Sequence, residues 1–88
     1  MAVFKVRVEV KLKPGFLDPE GETVKHTLND LGYKIIDARI CKVYELVLDT
    51  TSLDEAKRIS DEVCRRLLAN PVKDIYRVEV FPYALHED

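Results

Sequence analysis

The sequence predicts an α+β fold: a ferredoxin-like βαββαβ two-layer sandwich with an antiparallel sheet. Three observations carry that prediction. Apolar and charged residues alternate strictly near both ends of the chain, two separately capped helices interrupt the strands, and the βα unit occurs twice in order. With 88 residues there is room for one core, so residues 1–82 are read as a single domain and 83–88 as a C-terminal tail.

Phe4, Val6, Val8, Val10 and Leu12 occupy alternate positions, with Lys5, Arg7, Glu9, Lys11 and Lys13 between them. This is the period of a strand with one buried and one polar face. Pro14 lacks a backbone donor and Gly15 accepts a positive φ, so the pair ends the strand in a turn. Asp18 suits the N-cap of the following helix and Pro19 its first helical position. Glu20 and Glu22 sit beside the positive helix end. Val24, Leu28 and Leu31 share one face and Gly32 supplies the stop, giving a helix over Pro19–Leu31.

"YKIIDARICKVYELVLDT" is too long and too rich in β-branched residues for one average strand. Its parity predicts a hairpin turning near Cys41-Lys42, with one long bent strand as the alternative. Neither residue favours the left-handed conformation that a two-residue hairpin needs. Ser52 and Glu55 form a capping box for a second helix, in which Leu53, Ala56, Ile59 or Ser60, Val63 and Leu67 keep helical spacing. Asp54 and Glu55 at its start and Arg65 and Arg66 near its end complement the helix dipole. Asn70-Pro71 closes it, and Val72–Phe81 alternates again, with Tyr76, Val78 and Val80 on one side. Right-handed crossovers then place the first and last-but-one strands in the middle of the sheet.

Fourteen basic and 16 acidic residues are mixed along the chain, with no block of one sign. That disfavours a nucleic-acid arm or a polybasic membrane anchor. No apolar run approaches the roughly 20 residues that span a bilayer, and the N-terminus reads as neither signal nor transit peptide. A cytoplasmic location is expected, with no membrane or nucleic-acid partner. Cys41 and Cys64 are too far apart for a zinc knuckle or a redox pair, and are expected as buried or semi-buried free thiols.

Residues for chemistry are scarce. His26 on the first helix has no evident partner and reads as a structural or surface histidine, as does His86 in the tail. Cys64 fits a small core residue better than an activated thiol. Lys57-Arg58 and Arg65-Arg66 read as the solvated side of the second helix. Lys11 and Lys13 flank a helix start, where anions bind. Yet Asp18, Glu20 and Glu22 put negative charge there, and no phosphate-loop pattern is present. The expected open sheet face carries Arg7, Glu9, Lys11, Asp37, Arg39, Glu45, Arg77 and Glu79, with Phe81 its one aromatic. Such balance disfavours RNA. It fits pairing with a protein or a second copy of the chain.

Three stretches go further: "LKPGFLDPEG" (12–21), "LGYKIIDARICKVYEL" (31–46) and "CRRLLANPVKDIYRVEV" (64–80). In this order and at this length they resemble PurS, the small subunit of multi-subunit phosphoribosylformylglycinamidine synthase. The resemblance implies a subunit without catalytic or cofactor-binding residues or metal ligands of its own. It also implies a homodimer or higher homo-oligomer that bridges a glutaminase subunit and a synthetase subunit, the latter using ATP and Mg. Cys41 departs from the family's usual glycine in an RxGK turn. Expected partner contacts are Lys13, Pro14, Gly15, Leu17, Asp18 and Pro19 in the first turn, with Asn70 and Pro71 in the second. The alternative reading is a dimeric ferredoxin-like domain that senses a small molecule between subunits.

Overall fold

The computed structural model describes residues 2–83. Its elements are β1 (Ala2–Leu12), α1 (Pro19–Asp30), β2 (Lys42–Thr50), α2 (Leu53–Val63) with a π-helical continuation (Cys64–Leu68), and β3 (Asp74–Pro82). Most of the expected tail, including His86, lies outside the described residues, while Tyr83 donates its N–H to the Val3 carbonyl at 2.9 Å and prolongs the β1–β3 ladder. The α+β sandwich with an antiparallel sheet is the fold observed. The strand order is β2-β1-β3.

The central strand is the one whose alternation is most regular. Val6 lies opposite Leu46 and Val80, and Val8 opposite Tyr44 and Val78. Every second residue of β1 therefore faces α2, and Val6 and Val8 are completely buried together with Cys64. Tyr44, Leu46 and Leu48 of β2 and Tyr76, Val78 and Val80 of β3 flank this core, each half-buried.

The Ser52 hydroxyl oxygen starts α2 by accepting the Glu55 N–H at 3.1 Å. The Glu55 carboxylate turns to Arg58 and does not reach back to Ser52, so the capping box closes on one side only. Ala56 and Ser60 face the sheet, and the Ser60 hydroxyl donates to the Ala56 carbonyl at 2.6 Å, which satisfies a buried polar group. Leu67, expected to continue the buried stripe, is instead 80% exposed. The Ala69 N–H donates to the Cys64 carbonyl five residues back, at 2.9 Å. That π turn holds one residue more than an α turn, which rotates Leu67 outward and brings Leu68 inward.

A second departure separates α1 from β2. The expected first arm of the hairpin, residues 33–40, does not join the sheet. Among the described residues only Gly15 and Gly32 have positive φ. Cys41-Lys42 thus lacks the left-handed backbone that a tight reversal requires. Residues 33–40 run back along α1. The Asn29 side chain accepts the Ile35 N–H at 2.8 Å and donates to the Ile35 carbonyl at 3.2 Å, and Asp18 Oδ2 accepts the Ile40 N–H at 2.7 Å. Gly21 is required between them, because a Cβ there would collide with the Ala38 carbonyl oxygen. Asp37 and Arg39, expected on the open sheet face, consequently sit on this return segment. Cys41, expected to be covered, is exposed where the segment enters β2, whereas Cys64 is buried as expected.

The helix and its return segment, residues 18–40, form an arm. Only glancing contact joins α1 to any other element. A β1 of 11 residues spans about 36 Å and an α1 of 12 residues about 18 Å. Laid end to end they account for the 52 Å long axis, which a helix folded back on its own sheet would not. The radius of gyration of 17.1 Å, against about 12 Å for a compact chain of this length, has the same origin.

Candidate functional site

Lys13 and Pro71, 58 positions apart, meet at the end of the sheet from which the arm departs. The register forces this meeting: Leu12 pairs with Asp74, so the turn after β1 and the turn before β3 leave the sheet side by side. The Lys13 N–H donates to the Lys73 carbonyl at 2.8 Å, and Lys13 Nζ to the Pro71 carbonyl at 3.1 Å. One lysine thus bonds to the other turn through both backbone and side chain.

Each turn is shaped by its own local chemistry. In the first, the Phe16 N–H donates to the Lys13 carbonyl at 3.3 Å, and Gly15 takes φ +91°, a value closed to most side chains. In the second, Asn70 Oδ1 accepts the Val72 N–H at 2.8 Å, while Asp74 Oδ2 accepts the Asn70 N–H at 2.9 Å. This is an Asx turn locked at its entry.

Asp18 is the structural centre of the first turn. Its Oδ1 accepts the Gly21 N–H at 2.9 Å as the α1 cap, and its Oδ2 reaches the Ile40 amide described above. These two bonds, Ile40 first, hold the Asp18 carboxyl below the usual carboxylate range. Arg39 Nη1 adds a third tie by donating to the Phe16 carbonyl at 3.1 Å. Pro19 occupies the first position of α1, where its missing donor costs nothing.

The eight residues expected at a partner contact therefore divide into two groups. Leu17 is 84% exposed, and Pro14, Gly15, Pro19, Asn70 and Pro71 are also exposed. Lys13 is half-buried and Asp18 buried, so Asp18 builds the surface from within. Sequence reasoning missed two exposed apolar residues at the same end: Val72, in the second turn, and Leu67, on the π turn leading into it, which are 72% and 80% exposed. Val72 reads as the first residue of a strand, and Leu67 is disguised by the π turn. A cleft of about 340 Å³ lies under the first turn, lined by Pro14, Asp18, Arg39, Ile40 and Ile75.

This end is poorly suited to holding an anion, since the Asp18 carboxylate already occupies the cap of α1. Elsewhere, His26 Nε2 lies 3.3 Å from Asp30 Oδ2 in an exposed pair one helical turn apart. Burial pushes the Cys64 thiol up, away from the reactive thiolate. Arg58, Arg65 and Arg66 pair with Glu55, Asp61 and Glu62 along the solvated side of α2. On the open sheet face Lys5 meets Glu45 at 3.0 Å, and Arg77 lies 3.2 Å from Glu79 and 3.6 Å from Glu9. Among the described residues, no three His, Cys, Asp or Glu side chains are grouped to hold a metal ion.

A fold with charge-paired faces, a locked pair of turns and a projecting arm defines a small α+β interaction module. Residues 5–82 match the family described as PurS, phosphoribosylformylglycinamidine (FGAM) synthase, and the chain belongs to that family. The PurS subunit of Bacillus subtilis is 40% identical over 89% of this chain and 93% of its own. The crystal structure of Methanocaldococcus jannaschii PurS, a subunit of the amidotransferase of purine biosynthesis, is 33% identical and superposes with a TM-score of 0.81, covering 92% of this chain and 99% of that one. A chain in the structure of PurLQS from Thermotoga maritima is 29% identical, with a TM-score of 0.84 over 92% of this chain and all of that one. The protein is thus a subunit of FGAM synthase in purine biosynthesis.

Proposed function

We propose that this chain is the non-catalytic bridge of a cytoplasmic FGAM synthase complex. As a homodimer it joins a glutaminase subunit, which releases ammonia from glutamine, to a synthetase subunit, which binds ATP and Mg and amidates formylglycinamide ribonucleotide. The observation that carries this reading is the pairing of the two turns. Lys13, Pro14 and Gly15 are held against the turn of Asn70 and Pro71 by two hydrogen bonds from Lys13, to the Pro71 and Lys73 carbonyls, on a surface that exposes Leu17 and Val72. Apolar side chains set on a hydrogen-bonded frame lose little entropy when a partner covers them. They act as anchors.

Leu17→Asp with Val72→Asp tests the assignment without touching the core or the Asp18 ties. The double variant is expected to keep the unfolding temperature of the native chain and to lose at least about tenfold in affinity for the glutaminase–synthetase pair, measured by calorimetry. Unchanged affinity in a folded variant removes the paired turns from the interface.

A further inference from the structure

The cleft under the first turn lies where the return segment comes back to the end of the sheet. Its walls are apolar. Ile40 of the return segment and Ile75 of β3 leave 38% and 39% of their surfaces open, and Leu12 and Pro14 complete the lining. The walls are also held in place, because Asp18 accepts the Ile40 N–H and Arg39 donates to the Phe16 carbonyl. A space of about 340 Å³ is in the range of small-molecule sites, and a fixed one costs little to occupy.

The charges of the lining are only partly used. Lys11, opposite Ile75 in the ladder, makes no ion pair or side-chain hydrogen bond among the described residues. Arg39 commits Nη1 to Phe16 and lies 3.8 Å from Asp37 Oδ2 through Nε, which leaves Nη2 open. Asp37 Oδ1 accepts the Ala38 N–H at 3.0 Å, and its Oδ2 has only the long Arg39 contact. Asp18 is buried and committed to two amides. Two cations and two carboxylates give the lining no formal net charge, so a lone anion or a lone cation gains little there. A zwitterion can satisfy both signs at once.

We infer that this cleft binds a free α-amino acid with an uncharged side chain. The carboxylate of the ligand takes Lys11 and Arg39 Nη2, its ammonium takes Asp37 Oδ2, and its side chain lies against Ile40 and Ile75. A residue inside a peptide carries neither charge and is rejected by the same groups. The site is contained in one chain and does not depend on the bridging role. Because Lys11 and Ile75 belong to the sheet while Asp37, Arg39 and Ile40 belong to the arm, the bound molecule ties the two together.

The test is a titration of the full chain with L-leucine, followed by its amide resonances. Saturable shifts are expected at Lys11, Leu12, Arg39, Ile40 and Ile75, with a dissociation constant on the order of 1 mM or below. L-leucinamide lacks the carboxylate and N-acetyl-L-leucine lacks the ammonium, and each is expected to bind at least about tenfold more weakly. Lys11→Gln alters an exposed side chain, so the fold is retained. It is expected to weaken L-leucine about tenfold and to narrow the gap between L-leucine and L-leucinamide. Asp37→Asn is expected to narrow the gap between L-leucine and N-acetyl-L-leucine in the same way. Shifts that do not saturate by about 20 mM, or that saturate only at residues outside the cleft, overturn the assignment. So does unchanged L-leucine affinity in folded Lys11→Gln. If N-acetyl-L-leucine binds the native chain as tightly as L-leucine, the cleft takes simple carboxylates and the amino-acid assignment is wrong.

Discussion

The body and the arm of this molecule are built on opposite principles. In the body, β1 lies between two antiparallel neighbours and its valines disappear beneath α2, so burial holds the structure. In the arm, few side chains are buried, and shape comes from hydrogen bonds made by Asp18 and Asn29 and from the close approach that Gly21 permits. Apolar burial contributes on the order of 25 cal/mol per Å², whereas a single hydrogen bond exchanged with water nets only about 1 kcal/mol. The body is therefore ordered chiefly by burial. The arm has a defined path set mainly by polar contacts and the close approach at Gly21.

Substitutions that separate these two kinds of order sharpen the contrast. The largest effect belongs to the body. Val8→Ala removes two methyl groups from a fully buried site and leaves a cavity beneath α2. It is expected to cost about 2 kcal/mol of global stability, measured by urea unfolding at fixed chain concentration. A loss below about 0.5 kcal/mol would mean that β1 is not the packing centre.

Gly21→Ala acts on the arm. The added methyl displaces the Ala38 carbonyl and presses on the Asp18 carboxylate, so the return segment detaches from α1. An effect of about 1 kcal/mol is expected, confined to the arm. Amides of α1 exchange faster while those of β1 keep their protection. Uniform loss of protection would show that arm and body unfold together, which breaks the comparison.

The smallest effect is electrostatic. Asp18 is held below the usual carboxylate range by the Ile40 and Gly21 amides. Its contribution to arm order is therefore fully present above the ordinary Asp value of about 3.9 and is lost as pH falls through the lower folded value. The Ile40 and Gly21 amide proton resonances should titrate together at that lower value. Titration at the ordinary value would mean that the double tie is absent in solution.

What could be read in the sequence followed the range of the physics involved. The alternation of β1, the Asp18-Pro19 helix start and the Asn70-Pro71 turn depend on neighbours a few residues away and were legible. So were the two turns as turns, since Pro, Gly and Asn announce turns wherever they stand. The return segment was not. "KIIDARI" has strand composition, but its backbone is claimed by Asn29 and Asp18, and no local pattern reveals that Gly21 leaves room for Ala38. The exposure of Leu67 was hidden for a similar reason: helical spacing places it inward, and one inserted residue in the π turn places it outward. Lys13 joins the turns through bonds to Pro71 and Lys73, which only the β1–β3 register brings near.

The central claim, that this chain couples two enzymes without supplying chemistry, is tested most directly by reconstituting FGAM synthase from its glutaminase and synthetase subunits with and without the chain. Amidation should be followed with glutamine and, separately, with ammonium as the nitrogen source. The account predicts that glutamine-dependent turnover requires the chain while ammonium-dependent turnover persists in its absence. Equal glutamine-dependent turnover in both mixtures would contradict it.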